Sequence, residues 1–162
     1  MNYIKQLLML SFFCFLLSCN FSKKEQKAKP VYWDYIEINT KTQKVIIYKE
    51  SDTASFEEAI YKNISGKGIS VKYKLDTIQR KTFSLTASER DSIYKYTYQV
   101  ITKPVFTDKH ATCYAGYVLI KLRERQTTLM CEYKSVGEWS TVTNETKKIY
   151  DILSTKINIG KQ

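Results

Sequence analysis

The sequence predicts an α+β domain in which an antiparallel sheet carries two helices on one face. Three observations lead there. β-Branched and aromatic residues alternate with polar ones at the two-residue period of a half-buried strand, and two stretches carry apolar residues at helical spacing. A faint echo also links the two places where strand passes into helix.

Val31 to Ile38 and Gln43 to Tyr48 are β-branched and aromatic runs separated by Asn39 to Thr42, which reads as a hairpin. Phe56 to Lys62 suits a further strand. Ile69 to Asp76 alternates most clearly, with Ile69, Val71, Tyr73 and Leu75 set against Ser70, Lys72, Lys74 and Asp76. One face of this strand is expected to be buried and the other wet, with Arg80 to Leu85 as its partner. Ser65-Gly-Lys-Gly68 reads as a hairpin turn, because a phosphate loop would need a Gly five positions before Gly66 and a Ser or Thr after Lys67.

Thr86-Ala-Ser-Glu89 has the spacing of a capping box, and Ile93, Tyr96, Thr97, Val100 and Ile101 follow at helical spacing until Pro104 stops the run. Thr112 to Leu122 and Thr127 to Lys134 suit two more strands joined by the charged turn Arg123 to Gln126. A final helix is expected from Asn144 to about Ile157, with Ile149, Ile152, Leu153 and Ile157 on one side. At an offset of 56 residues, Phe83-Ser84, Glu89 and Ile93-Tyr94 recur as Trp139-Ser140, Glu145 and Ile149-Tyr150. A duplicated ββα unit and a shared grammar of helix starts both account for this. Under either, Phe83 and Trp139 read as core residues that pack back onto their helices.

The first residues read as an address. Lys5 precedes an apolar run from Leu7 to Leu17, which as a helix reaches roughly 17 Å against a hydrocarbon core of about 30 Å. That is the length of a signal-peptide core rather than of a membrane span. The run ends in Leu16-Leu17-Ser18-Cys19, which resembles the lipobox of bacterial lipoproteins, with Leu17 as the one departure from its usual pattern. The resemblance implies that residues 1–18 are removed, that the Cys19 thiol receives a diacylglycerol and that its new amino group is acylated, palmitate being typical. It covers the leader alone. Asn20, in place of the Asp that retains many such proteins at the inner membrane, favours the outer membrane, facing the periplasm or the cell surface. Residues 19–30 then form the lipidated Cys and a flexible basic tether with Lys23, Lys24, Lys27 and Lys29, and residues 31–162 form a single domain.

The chain has 26 Lys and Arg against 16 Asp and Glu, a formal charge of +10, and 13 Tyr, 7 Phe and 2 Trp among its 162 residues. This excludes a disordered composition and supplies side chains for a real core. In a cytoplasmic protein the positive charge would suggest nucleic acid; export makes anionic lipid, envelope polysaccharide or an acidic protein the physical alternatives.

Little chemistry is on offer. Once the leader is removed and Cys19 lipidated, Cys113 and Cys131 are the remaining cysteines, and they are either bridged or two buried thiols. A turn centred between Glu124 and Arg125 would place Cys131 opposite Val118, five residues from Cys113, which argues against the bridge unless the segment at Cys113 curls back. The single His, His110, lacks the second ligand pair a zinc site requires and reads as an exposed loop residue, so neither a metal nor a cofactor is expected. Glu57 and Glu58 point to opposite faces of a strand and cannot act as an acid–base pair. Asp52-Thr-Ala54, Asp76-Thr-Ile78 and Asp91-Ser-Ile93 resemble the loose triplet on which some Gram-negative envelope systems place O-glycans, with Thr53, in an expected loop, the best placed.

The functional expectation is recognition without catalysis: an envelope lipoprotein of the inhibitor or immunity kind that occludes a partner protein. Tyr94 and Tyr98 lie off the apolar stripe of their helix and are expected to form an exposed aromatic ridge for that partner. The alternative is an envelope-maintenance lipoprotein that binds anionic lipid or glycan through its basic surface. No feature of the sequence fixes an oligomeric state.

Overall fold

The computed structural model describes residues 32–66, 71–105 and 116–161. In chain order the elements are β1 (Tyr35–Thr40), β2 (Gln43–Tyr48), β3 (Thr53–Ser65), β4 (Lys72–Ser84), helix α1 (Ala87–Thr102), β5 (Gly116–Glu124), β6 (Thr127–Val136), a 3-10 turn (Trp139–Thr141) and helix α2 (Asn144–Ser154). The class is the expected α+β. Six antiparallel strands lie in the order β4-β3-β2-β1-β5-β6, so three hairpins sit side by side and the β1–β2 hairpin occupies the centre. Hairpin β3–β4 is followed by α1 and hairpin β5–β6 by α2, the two arrangements behind the 56-residue echo.

One sheet face makes the core. Ile36 and Ile38 of β1, Val45 and Ile47 of β2, and Val118, Ile120 and Leu122 of β5 are fully buried together with Ile93 and Val100 of α1 and Ile149 and Leu153 of α2. Their alternation along each strand leaves Glu37, Lys44, Lys121 and their neighbours on the opposite face. Trp139 is fully buried, as read from the sequence, and its Nε1 donates to the Gly160 carbonyl at 2.7 Å, while Phe83 packs half-buried against the core. The Gln43 side chain completes the clamp on the C-terminal segment, donating to the Asn158 carbonyl and accepting from the Gly160 amide.

Both helices begin with capping boxes. Thr86 Oγ1 accepts from the Glu89 amide at 3.2 Å and Glu89 answers on the Thr86 amide at 2.8 Å; at α2 the pair is Thr143 and Thr146. The second cap therefore stands 57 residues after the first rather than 56. Helix α2 ends at Ser154, and Ile157 joins the core from beyond it.

Three expectations are corrected. Lys72 to Asp76 and Arg80 to Ser84, from the two runs read as partners, are parts of one strand, β4, paired along its length with β3, while Ile69 and Ser70 lie outside the described residues. A bulge explains the misreading: Tyr61 faces Leu75 while Ile60 faces Thr77, so Asp76 is the extra residue and the apolar phase jumps from odd to even positions there. Nor does β4 bury a face, since every residue from Lys72 to Thr82 is exposed. It is an edge strand, and beyond the Gln43–Glu58 pair β2 no longer lies beside β3 to widen the layer. Finally, the β5–β6 turn is Arg125–Gln126, with Arg125 at φ 53°, and Cys131 therefore stands opposite Ile120 rather than Val118. At the far end of that hairpin Ser135 takes φ 54° at a second irregularity, and Gly116 is required opposite it because a Cβ there would collide with the Val136 carbonyl oxygen.

Candidate functional site

Strands β3 and β4 are twice the length of β1 and β2, and the surplus lies at one end. The last β2–β3 pair is Gln43–Glu58 and the last β3–β4 pair Ser65–Lys72, so the hairpin runs on for seven residues, roughly 23 Å, as a two-stranded arm. Ala59 is the last point of attachment, its amide donating to the Thr42 carbonyl at 2.8 Å.

The arm has two unlike faces. Register places Ala59 opposite Ile78, Tyr61 opposite Leu75 and Asn63 opposite Tyr73, all on the face that continues the open side of the sheet. The reverse face carries the Lys62–Asp76 ion pair at 2.7 Å and Lys74. Tyr73 is 66% exposed, Tyr61 49%, Leu75 44% and Ile78 41%. With Ile64 these are five of the ten large apolar side chains exposed among the described residues, gathered on one hairpin. Apolar exposure is thus clustered on this hairpin rather than scattered over the described surface. Where the arm meets the sheet, a shallow cavity of about 190 Å³ is lined by Ala59 and Ile78 together with Lys41, Lys44 and Glu57. The sequence carried a signal for this surface in the phase jump between Leu75 and Ile78, but alternation reports an apolar face without saying what covers it.

Beside the arm, Glu37 stands at the centre of the open sheet face. Its carboxylate accepts from Asn39 at 2.7 Å and from Lys121 at 3.0 Å and lies 3.6 Å from Lys44. Burial pushes this carboxyl up, and the bonds from Asn39 and Lys121 outweigh it, so its pKa lies below the usual carboxylate value. Glu57 and Glu58 fall opposite Lys44 and Gln43 and engage Arg80 and Gln43 respectively, on opposite faces.

The helix ridge is only half present. Tyr98 is 43% exposed as expected, but Tyr94 is half-buried, packed against the core and stacked on Trp33 with ring centroids 5.6 Å apart. Trp33 comes from the segment before β1, 61 positions away in sequence, so helical spacing alone could not place it. The Tyr94 hydroxyl donates to Glu124 at 3.2 Å; burial and the adjacent carboxylate push its pKa up to about 12. Thr53 is exposed but begins β3 rather than lying in a loop, and its hydroxyl donates to Asp52. Cys131 is a half-buried, unbridged thiol on β6. Burial and the neighbouring Cys131 push Tyr133 up to about 12. Cys19 with the whole leader and tether, His110 and Cys113 lie outside the described residues. Among the described residues no helix is long and apolar enough to cross a membrane, and no three His, Cys, Asp or Glu side chains are grouped to hold a metal.

Comparison of the chain with protein-family models, with curated proteins and with solved structures finds no match.

Proposed function

We propose that the chain is a lipid-anchored envelope protein of the inhibitor or immunity type, which binds a partner protein without catalysis and presents the β3–β4 arm to it. The observation that carries this reading is the apolar face of Tyr61, Tyr73, Leu75 and Ile78, left uncovered on a hairpin that projects past the sheet. A two-stranded hairpin is marginally stable alone, so its exposed face gains most from a second surface. Strand direction supports the same reading. The chain enters at Tyr32, next to the Tyr35 end of β1, and the arm leaves from the opposite end, beyond Thr42. A tether from Cys19 would attach at one end of the sheet while the arm is presented at the other.

Extraction of the native protein in mild detergent tests this. The wild-type chain should run in native electrophoresis as a complex larger than its own lipoprotein micelle, and Tyr73→Ser/Leu75→Ser should run as the lone chain. Cys19→Ala should leave the membrane fraction. A wild-type chain that is always alone would contradict partner binding, and unchanged membrane partitioning of Cys19→Ala would contradict the anchor.

A further inference from the structure

Resting on the partner-binding reading, we infer that the partner protein seats one large uncharged side chain, aromatic or aliphatic, in the cavity at the base of the arm. The arm is then gripped by its apolar face rather than by its β4 edge. The cavity exists because Ala59 has the smallest side chain in the row. On this face Ala59 and Ile78 are followed by Tyr61 and Leu75 about 7 Å further out, and then by Asn63 and Tyr73. Ala59 leaves a gap of about 190 Å³ beside Ile78 and the β1–β2 turn. A dry cavity of about 150 Å³ is enough for a benzene ring, so this gap has room for one anchor side chain. Its walls are set in advance. The Ala59 amide donates to the Thr42 carbonyl at 2.8 Å, the Gln43 amide to Thr40 Oγ1 at 3.2 Å and Asn39 Nδ2 to Glu37 at 2.7 Å. A preformed hollow within an apolar patch suits the central anchor of a protein interface.

Charge selects the chemistry of that anchor. Lys44 lies 3.6 Å from Glu37, and Glu57 accepts from Arg80 at 2.8 Å, so both of these lining groups already have their counter-charge. Lys41, in the β1–β2 turn, is the one lining cation without an ion pair among the described residues. Lys72 and Lys74 do not border the cavity, because the register places them on the reverse face. An ionised side chain would therefore lose its water in the cavity for little return, whereas an uncharged one loses nothing. The edge is the poorer route. Lysines along an edge strand and a bulge within it both obstruct strand addition, and β4 has both, the bulge at Asp76 falling midway along its length.

The test uses the full lipidated chain in detergent and, as probe, the protein recovered from its native complex and then purified. Ala59→Leu fills the cavity without adding charge and should weaken binding about 30-fold or more, the loss expected when an anchor is shut out. Ala59→Ser, of nearly the same size as the wild type, should bind as the wild type does. Ile78→Ser removes one wall at an exposed position where folding is not at stake, and should also weaken binding. Circular dichroism on each variant excludes unfolding as the cause. Lys41→Ala and Lys72→Glu/Lys74→Glu should leave the dissociation rate unchanged. So should raising NaCl from about 50 to about 500 mM, because long-range charge acts on association. Ala59→Leu or Ile78→Ser, folded and binding as the wild type does, would overturn this inference while leaving partner binding intact. A dissociation rate that rises with salt or in Lys41→Ala would overturn it in favour of a carboxylate anchor. One that rises in Lys72→Glu/Lys74→Glu would overturn it by placing the contact on the reverse face. A recovered protein that is this chain itself would overturn it in favour of self-association. Adhesion to phosphatidylglycerol vesicles with no protein complex would overturn both it and the partner-binding reading.

Discussion

Thr97 offers an unusual perturbation, a substitution expected to stabilise the fold. Its side chain is fully buried in the third turn of α1, in the stripe with Ile93 and Val100, and its Oγ1 is the one buried side-chain polar atom among the described residues without a hydrogen-bond partner. Thr97→Val replaces that hydroxyl with a methyl of nearly the same size and leaves the branched Cβ and its rotamer preference in place. An unsatisfied buried hydroxyl costs on the order of 1–3 kcal/mol, and Thr and Val have similar helix propensities. After a small allowance for the larger methyl, the variant should gain about 1 kcal/mol. For a domain of this size that raises the melting temperature by roughly 2–8 °C. In urea the midpoint should move upward with an unchanged slope, the signature of a change in stability rather than in the denatured state. Thr97→Ser, which keeps the hydroxyl and removes the methyl, should lose about 1 kcal/mol. A loss of more than about 0.5 kcal/mol in Thr97→Val would refute the reasoning, because it would mean that the hydroxyl bonds within the folded chain.

Thr86→Ala removes one half of the capping box of α1 and should cost about 1 kcal/mol in urea unfolding. Glu37 and Glu89 both have depressed pKa values, Glu37 because the bonds from Asn39 and Lys121 overcome its burial and Glu89 chiefly through the Thr86 amide and Lys156. The stability they contribute is present above their ordinary value of 4.5 and lost as pH falls through the lower folded value, so Glu37→Gln should flatten the acid limb of a stability profile below about pH 4.5. Tyr94 and Tyr133, raised to about 12, favour the folded state below pH 10 and lose that contribution between about 10 and 12. Spectrophotometric titration of the native protein should show late-ionising tyrosines, and Tyr94→Phe should remove one.

Local chemistry was legible where it acts within a few residues. The capping box at Thr86 and Glu89 and the β2 strand appear where spacing and residue type place them, because the atoms concerned are neighbours in the chain. What failed involved contacts over longer distances or single-residue irregularities. Trp33 covers Tyr94 from 61 positions away, and no helical wheel carries that information. The bulge at Asp76 shifts the apolar phase by one, so one long strand read as two. Arg125 at positive φ moved the β5–β6 turn by one position and the partner of Cys131 by two. The arm shows the deeper limit: Tyr73 and Leu75 alternate as if for a core, and periodicity is the same whether a face is covered by the chain itself or by another molecule.

The most direct test of the central claim is photo-cross-linking in intact cells, with a photoreactive residue placed in turn at positions 73, 74, 75, 77, 78 and 79 of β4. The bulge and the register predict protein adducts at Tyr73, Leu75 and Ile78, the positions opposite Asn63, Tyr61 and Ala59, and none at Lys74, Thr77 or Gln79 on the reverse face. The phase jump from 75 to 78 makes this pattern one that no straight strand would produce. Adducts spread evenly along β4, or confined to positions 74, 77 and 79, would contradict recognition through the arm's apolar face.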